Sequence, residues 1–430
     1  MPALLKRIPL YIQIFVALLI GVAVGTLLGG GQPTPENATL LNNLAIPCAL
    51  ILKALKALAT PLILLAVLHV FMTAELPEKS GRRLAVLLFT NTLVAILIGL
   101  TVANLVQPGK WGQLAAPQTA VTATKSLDPW GLLQDSVPTA IAQPLVDNNV
   151  IQLIVVALAF GIALRGIKAK QVKDGKTDYL PVEQVITTLL ETVMKILTWL
   201  IMIVPIAVFG IVAKTVGTQG FAPFQALAAF IVAVILALFC QACYYLSRVQ
   251  FGSWVGIPRF LSGGADALVT AFSTASSTIT MPVTFRVLKE KVGLRESSAS
   301  LGALVGSNFN NDGTALYEAM AALFIAQALG INLSLEQQVI VILTSIIASV
   351  GAAGIPEAGL VTMTLVFSSV GLPTEYIALL VTVDWFLDRC RTAINVMGDM
   401  TVSSVLDGKV PQEMDELVPQ PAVATVSARD

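Results

Sequence analysis

The sequence predicts an all-α polytopic membrane protein. Two observations carry this. Hydrophobic residues make up 56% of the 430-residue chain and charged residues only 12%, against about a quarter charged in soluble domains. Apolar runs of about twenty residues, the length that crosses roughly 30 Å of hydrocarbon as helix, also recur from end to end. The 26 basic and 26 acidic residues cancel, so charge gives no argument for a nucleic-acid partner.

Apolar segments run over residues 9–29, 43–74, 84–107, 130–166, 182–216 and 221–247. The run from Pro9 to Leu28 follows a short basic start but lacks a clear cleavage site, and reads as a retained first span. The second and fifth segments exceed a simple span and predict tilt or extension beyond the hydrocarbon. Four later segments, near 257–290, 295–330, 335–372 and 374–406, stay apolar overall but are broken by Gly, Pro, Ser, Thr, Asn and charges. Lys6 and Arg7, then Lys79, Arg82 and Arg83, then Arg165, Lys168, Lys170, Lys173 and Lys176 fall between alternate segments, while residues 30–42 hold no Lys or Arg. The positive-inside rule then sets the N-terminus in the cytoplasm, with a multi-pass chain in a plasma or bacterial inner membrane. The tail from Gln412 is polar and acidic, the composition of a disordered segment.

Cys240 and Cys243 have CxxC spacing, but inside an apolar run they read as small residues on one helix face. His69, the single histidine, reads as packed rather than catalytic.

Chemistry concentrates late in the chain. Asp384, Asp388, Arg389, Arg391 and Asp399 lie within one apolar segment. A charge facing lipid at the bilayer centre costs about 2.5–3.5 kcal/mol on insertion scales, so five would cost on the order of 12–18 kcal/mol. These groups must therefore face protein, water or ligand. At 100° per residue, Asp384, Asp388, Arg391, Thr392, Asn395 and Asp399 share a stripe roughly 100° wide. Such a face can hold a zwitterion with an extra acid group. Arg grips a carboxylate through two parallel hydrogen bonds, Asp takes an ammonium, and Asp and Asn oxygens bind a hard cation. The alternative is an internal ion-pair network.

A second polar site, Asn310-Asn311-Asp312-Gly313-Thr314, interrupts another apolar segment, with Glu318 one turn on. It predicts an unwound stretch, which membranes tolerate where it lines a site. Two segments predict re-entrant hairpins. One has Ser276-Ser277-Thr278 and then Pro282, with Gly263 and Gly264 near its start. The other has Gly351-Ala352-Ala353-Gly354-Ile355-Pro356 at its tip. Half-helices with small-residue tips aim backbone dipoles at the midplane.

The strings TMPVTFRV, NDGTALYEA, GAAGIPEAGLVTM and VDWFLDRCRTAINVMGD resemble those of the glutamate/aspartate–cation symporters, the family of the excitatory amino acid transporters and their prokaryotic homologues. The resemblance implies eight transmembrane helices plus two re-entrant hairpins, built as inverted repeats, working as an elevator in a homotrimer. It implies scaffold over residues 1–83 and 111–218, a transport domain over 84–110 and 219–410, and a cytoplasmic tail over 411–430. It implies L-glutamate or L-aspartate as substrate, with membrane lipid around the trimer. Arg391 would take the side-chain carboxylate and Asp388 the amino group. Asn395, Thr392, Thr314, Ser277 and Gly359 would contact the rest. One Na⁺ would use Asp399 with Gly306, Asn310 and Asn395. A second would use Asp312, Asn310 and Thr92. A third would use Ser349, Val350 and Ala352. Glu318 would be a proton carrier, since a carboxyl in a dry site can hold a proton. No other cofactor is implied.

The chain also departs from the family pattern. Asn311 replaces a methionine and Asn308 a threonine, while Leu88 and Asn91 replace a tyrosine and a threonine. All four lie at cation positions and bring in H⁺ as a competing coupling ion, acidic amino acid or dicarboxylate being the cargo in that case; Asp399 and Asn395, a fixed carboxylate with neighbouring oxygens, keep Na⁺ as the expected one. Readings of another class are an anion channel, or an intramembrane aspartyl enzyme pairing Asp312 with Asp384 or Asp388. Arg391 beside Asp388 favours ligand capture over the shared proton that such an enzyme needs.

Overall fold

The structure is a computed structural model of the chain. It describes residues 10–73, 78–112, 134, 137–147, 150–351 and 358–411. The basic start at Lys6 and Arg7, the second hairpin tip at 352–356 and the tail from Gln412 lie outside the described residues. Every regular element among the described residues is helical.

The first half holds α1 (Leu10–Leu28), α2 (Pro35–Leu44), α3 (Ile46–Thr73), α4 (Glu78–Val106), α5 (Val150–Lys173), α6 (Leu180–Met202) and α7 (Val204–Gln219). Thr34 caps α2, its hydroxyl accepting from the Asn37 amide, and Pro35 opens the helix. At these positions neither residue sacrifices an intrahelical bond. The long second segment is essentially one 28-residue helix, α3, which α2 precedes with a junction at Ala45. The fifth is two helices, α6 and α7, and not one tilted span. The break falls at Ile203, ahead of Pro205, which has no N–H to donate to the carbonyl one turn before it. Lys79, Arg82 and Arg83 sit in the first turns of α4, and Arg165, Lys168, Lys170 and Lys173 on the last turns of α5, so these basic groups extend helices rather than occupy loops.

α1 lies along α7, and α3 packs against α5, α6 and α7. The α1–α7 seam is made of glycine. A Cβ at Gly21 would stand 2.8 Å from the Phe209 carbonyl oxygen, and one at Gly25 2.6 Å from that of Ala213. Gly29 meets Gly217 in the same way. Small residues every four positions let two backbones touch. This spacing was visible in the sequence and carried no reading there.

The second half holds α8 (Ala222–Gly252), then α9 (Ile257–Thr274) and α10 (Ser277–Val287), which pack on each other as the first hairpin. Its tip is Ala275, in the left-handed region at φ 51°, followed by Ser276, which caps α10 through the Ile279 amide. α11 starts at Glu296–Ser300, passes a π turn at Leu301–Val305 and ends at Gly306–Phe309. Asn310 and Asn311 leave helical geometry, with ψ of 64° and 49°, and α12 (Asp312–Ala328) resumes at once. The unwound stretch is thus two residues, narrower than the five the sequence marked. Leu335–Gly351 (α13) and Ala358–Ser369 (α14) pack on each other as the described arms of the second hairpin. α15 (Ile377–Asp407) follows. α12 is buried almost throughout, between α4, α15 and the second hairpin. α8 packs on α15 and α4.

Candidate functional site

α15 brings its polar stripe into the protein, as the cost argument requires. Arg391 is fully buried. Its Nη1 donates to Asp384 Oδ1 at 2.8 Å and its Nη2 to Asp388 Oδ1 at 2.6 Å. The guanidinium carbon stands 4.0 Å from the centre of the Tyr317 ring. A Cβ on Gly359 would lie 3.2–3.4 Å from the guanidinium, so the second hairpin rests its backbone directly on the cation. Only a residue without a side chain permits that approach without displacing the guanidinium. Arg391 Nε has no hydrogen-bond partner.

Below it, Asn395 ties α15 to the break in the α11–α12 segment. Its Oδ1 accepts from the Gly313 amide at 2.8 Å, and its Nδ2 reaches Asn311 Oδ1 and Thr314 Oγ1, each at 3.4 Å. Thr314 and Thr392 are buried. Ser277 opens α10 beside the first hairpin tip, its buried hydroxyl without a partner. Arg389 points away, donating to the carbonyls of Phe272 and Ser273 at the end of α9.

The cation positions differ from one another. Asp399 Oδ1 and Asn310 Oδ1 are buried acceptors that take no hydrogen bond. Gly306 faces the Asp399 carboxylate, and Gly398 faces the Asn310 amide. Two orphaned oxygens against bare backbone fit a hard cation, which the Asp399 carboxylate and neighbouring carbonyls would hold. Asp312, also fully buried, accepts from Thr92 Oγ1 at 2.6 Å and from the Tyr245 hydroxyl. Its oxygens are already served. Ser349 O accepts from Asn311 Nδ2 at 3.0 Å, so a side-chain amide occupies that carbonyl. The Val350 side chain and Ala352 lie outside the described residues.

Glu318 is fully buried. One oxygen accepts from Thr362 on α14, and the other has no partner. His69 bonds Thr187 at 3.2 Å. With Glu191, Lys195, Thr278 and Asn308 it lines a cavity of about 830 Å³ between α3, α6 and the first hairpin. All four cysteines are free thiols.

Tyr317, Tyr245 and Thr362 serve the site and were not singled out in the sequence. Tyr317 lies within the NDGTALYEA string, one turn after Thr314. Tyr245 sits in an apolar span, where a tyrosine carries no signal by itself.

The sodium:dicarboxylate symporter family model matches residues 10–409. Excitatory amino acid transporter 4 of Rattus norvegicus is 30% identical over 93% of this chain and 83% of its own length. The same transporter of Mus musculus is 39% identical over 62% of this chain, a match spanning 47% of that protein. The C4-dicarboxylate transport protein of Xanthomonas campestris pv. campestris (strain B100) is 30% identical over 98% of this chain and 97% of its own length. A site built of buried charge on apolar helices and a family match over nearly the full chain agree: this multi-pass membrane protein belongs to the sodium:dicarboxylate symporter family.

Proposed function

We propose that the chain is a symporter of acidic amino acids, L-glutamate or L-aspartate, driven by Na⁺. The carrying observation is Arg391, buried between Asp384 and Asp388 with Gly359 of the second hairpin against it. The substrate side-chain carboxylate takes Arg391 in place of one Asp. Asp388, released from Nη2, accepts the substrate ammonium. Thr314, Thr392, Asn395 and Ser277 receive the remaining polar atoms, and Gly359 closes over them. A dicarboxylate without an amine leaves Asp388 as an unpaired buried charge, a cost of several kcal/mol. Asp399, Asn310, Asn395 and Gly306 hold the coupling Na⁺, which supplies positive charge beside the closed site.

A second reading is proton-coupled C4-dicarboxylate transport. It draws on the similarity to the Xanthomonas protein and on Glu318, whose free oxygen suits a carried proton. Uptake into proteoliposomes separates the two, with labelled aspartate, glutamate and succinate tested under Na⁺, H⁺ and K⁺ gradients imposed singly. Concentrative aspartate or glutamate uptake on a Na⁺ gradient is the expected result. Succinate uptake on a proton gradient alone establishes the second reading, and downhill flux without concentration establishes a channel.

The architecture proposed with this function is an elevator in a homotrimer. α1–α3 and α5–α7 form the fixed scaffold, α4 and α8–α15 the moving part, and the N-terminus faces the cytoplasm of a plasma or inner membrane.

A further inference from the structure

Asp312 presents an electrostatic question that its hydrogen bonds do not answer. The carboxylate is fully buried. Thr92 and Tyr245 donate hydroxyl protons to it, but hydroxyls bring no net charge. A buried anion needs a positive partner as well as donors. In a cation-coupled carrier the simplest partner is a bound ion. Here the residues do not suit one. Thr92 and Tyr245 both aim their hydroxyls at Asp312, the Leu88 side chain one turn earlier offers no oxygen and its carbonyl already accepts from Thr92, and the side-chain oxygen of buried Asn91 is already taken.

Arg248 takes it. Its Nη1 donates to Asn91 Oδ1 at 2.6 Å and to Tyr244 Oη at 3.1 Å, and its guanidinium carbon lies 5.7 Å from the centre of the Tyr244 ring. Arg248 forms no ion pair among the described residues. Arg248 is half-buried in the last turns of α8 and turns its guanidinium to Asn91 rather than to an acidic partner. The placement shows how it is used. Asn91, which holds the guanidinium, directly precedes Thr92, which holds Asp312. Arg248 follows Tyr245, the other Asp312 donor, by three residues on the same face of α8. Two contacts at successive residues of α4, Asn91 to Arg248 and Thr92 to Asp312, thus bring one guanidinium and one carboxylate to the same short stretch of helix.

We propose that Arg248 is the tethered counter-cation of Asp312, standing where a diffusible coupling ion would otherwise be needed. The inference rests on the reading of the chain as a cation-coupled symporter. Under it, Asp399 and Asn310 remain the place where an ion enters, and the cycle runs on one cation fewer than the number of buried carboxylates suggests. Arg248 touches no substrate. It sets the stoichiometry of coupling.

The test uses the full chain in nanodiscs. Affinity for the substrate found in the uptake assay is measured by calorimetry over a series of Na⁺ concentrations balanced with choline. The slope of log affinity against log Na⁺ is the readout, because a merely structural lesion lowers affinity without changing it. Arg248→Met is expected to raise the slope by about one, and Arg248→Lys, which keeps the charge, to hold the parental slope. An unchanged slope in Arg248→Met overturns the proposal, as does a raised slope in Arg248→Lys matching that of Arg248→Met. If Arg248→Met does not fold, Asn91→Ala, which releases the guanidinium, is read by the same criterion. A parental protein whose affinity ignores Na⁺ defeats the sodium reading by itself. Arg248 is then judged by whether its Met variant acquires Na⁺ dependence, which supports the tethered cation, or does not, which overturns it.

Discussion

Arg391 shows how one side chain can be both a cost and a tool. Its guanidinium is ion-paired to both Asp384 and Asp388, and under the proposed function a substrate carboxylate displaces one of them. Truncating one partner of a buried, hydrogen-bonded charge pair costs about 2–5 kcal/mol. Arg391→Cys is therefore expected to weaken aspartate or glutamate binding at least about 30-fold, and to admit neutral amino acids, as read by calorimetry and competition uptake. Unaltered aspartate binding refutes the assignment of Arg391. Glu318 makes a different prediction. Its carboxyl has one oxygen on Thr362 and one unserved. Gln at this position keeps an acceptor for Thr362 but cannot exchange a proton. If Glu318 is the carrier, uptake by Glu318→Gln loses its dependence on pH between about 5 and 8. A profile parallel to that of the parent protein assigns Glu318 to packing alone. The burial of Asp384, Asp388, Arg391 and Asp399 was legible in the sequence because charge inside hydrocarbon needs protein, water or ligand around it. Tyr245 and Tyr317 were not, since an aromatic residue in an apolar run fits packing equally well.

At the scale of elements, the informative features are the places where helices stop. Asn310 and Asn311 break the α11–α12 segment, and the break leaves the Asn310 side-chain oxygen without a partner. The sequence marked this site because Asn-Asn-Asp-Gly is a poor helix interior. It did not mark the π turns at Leu288–Val292 and Leu301–Val305, because one extra residue per turn hardly disturbs an apolar pattern. It also missed the division of the fifth segment at Ile203, which Pro205 could have signalled. Gly306 tests the break. A Cβ there would lie 2.9 Å from the Asp399 carboxyl carbon, as well as against Oδ1. Gly306→Ala is expected to raise the Na⁺ concentration needed for half-maximal substrate binding by about tenfold, roughly 1.4 kcal/mol, with helix content unchanged by circular dichroism. Parental Na⁺ affinity in that variant would remove Gly306 from the cation site.

On the whole-molecule scale the helices sort by packing. α1–α3 and α5–α7 contact mainly one another, as do α4 and α8–α15. The cavity lined by His69, Glu191, Lys195, Thr278 and Asn308 lies along the division. Large apolar side chains such as Phe15, Leu105, Trp199, Val232 and Phe239 remain exposed on the chain, a surface suited to lipid or to further copies. Native mass spectrometry from lipid nanodiscs is expected to give three copies of the 45.3 kDa chain. A monomer that still concentrates substrate would refute the trimer as the working unit. The all-helical membrane class was readable from composition together with the recurring apolar runs. The pairing of α1 with α7 was not, since apolar periodicity tells which helices enter a membrane and says little about which neighbours they choose there.

That pairing has a consequence for the order of synthesis. Gly21 and Gly25 of α1, with Gly29 just past its end, leave no room for a Cβ against the carbonyl oxygens of Phe209, Ala213 and Gly217. Roughly 190 residues separate the two helices, which at 5–20 residues per second take the ribosome about 10–40 s to add. Throughout that interval α1 sits in the bilayer with a smooth groove and no partner. A bulky residue at Gly25 would leave insertion of α1 untouched and block the later closure. The defect would appear as a chain that reaches the membrane at normal rate and is then cleared by quality control before it assembles.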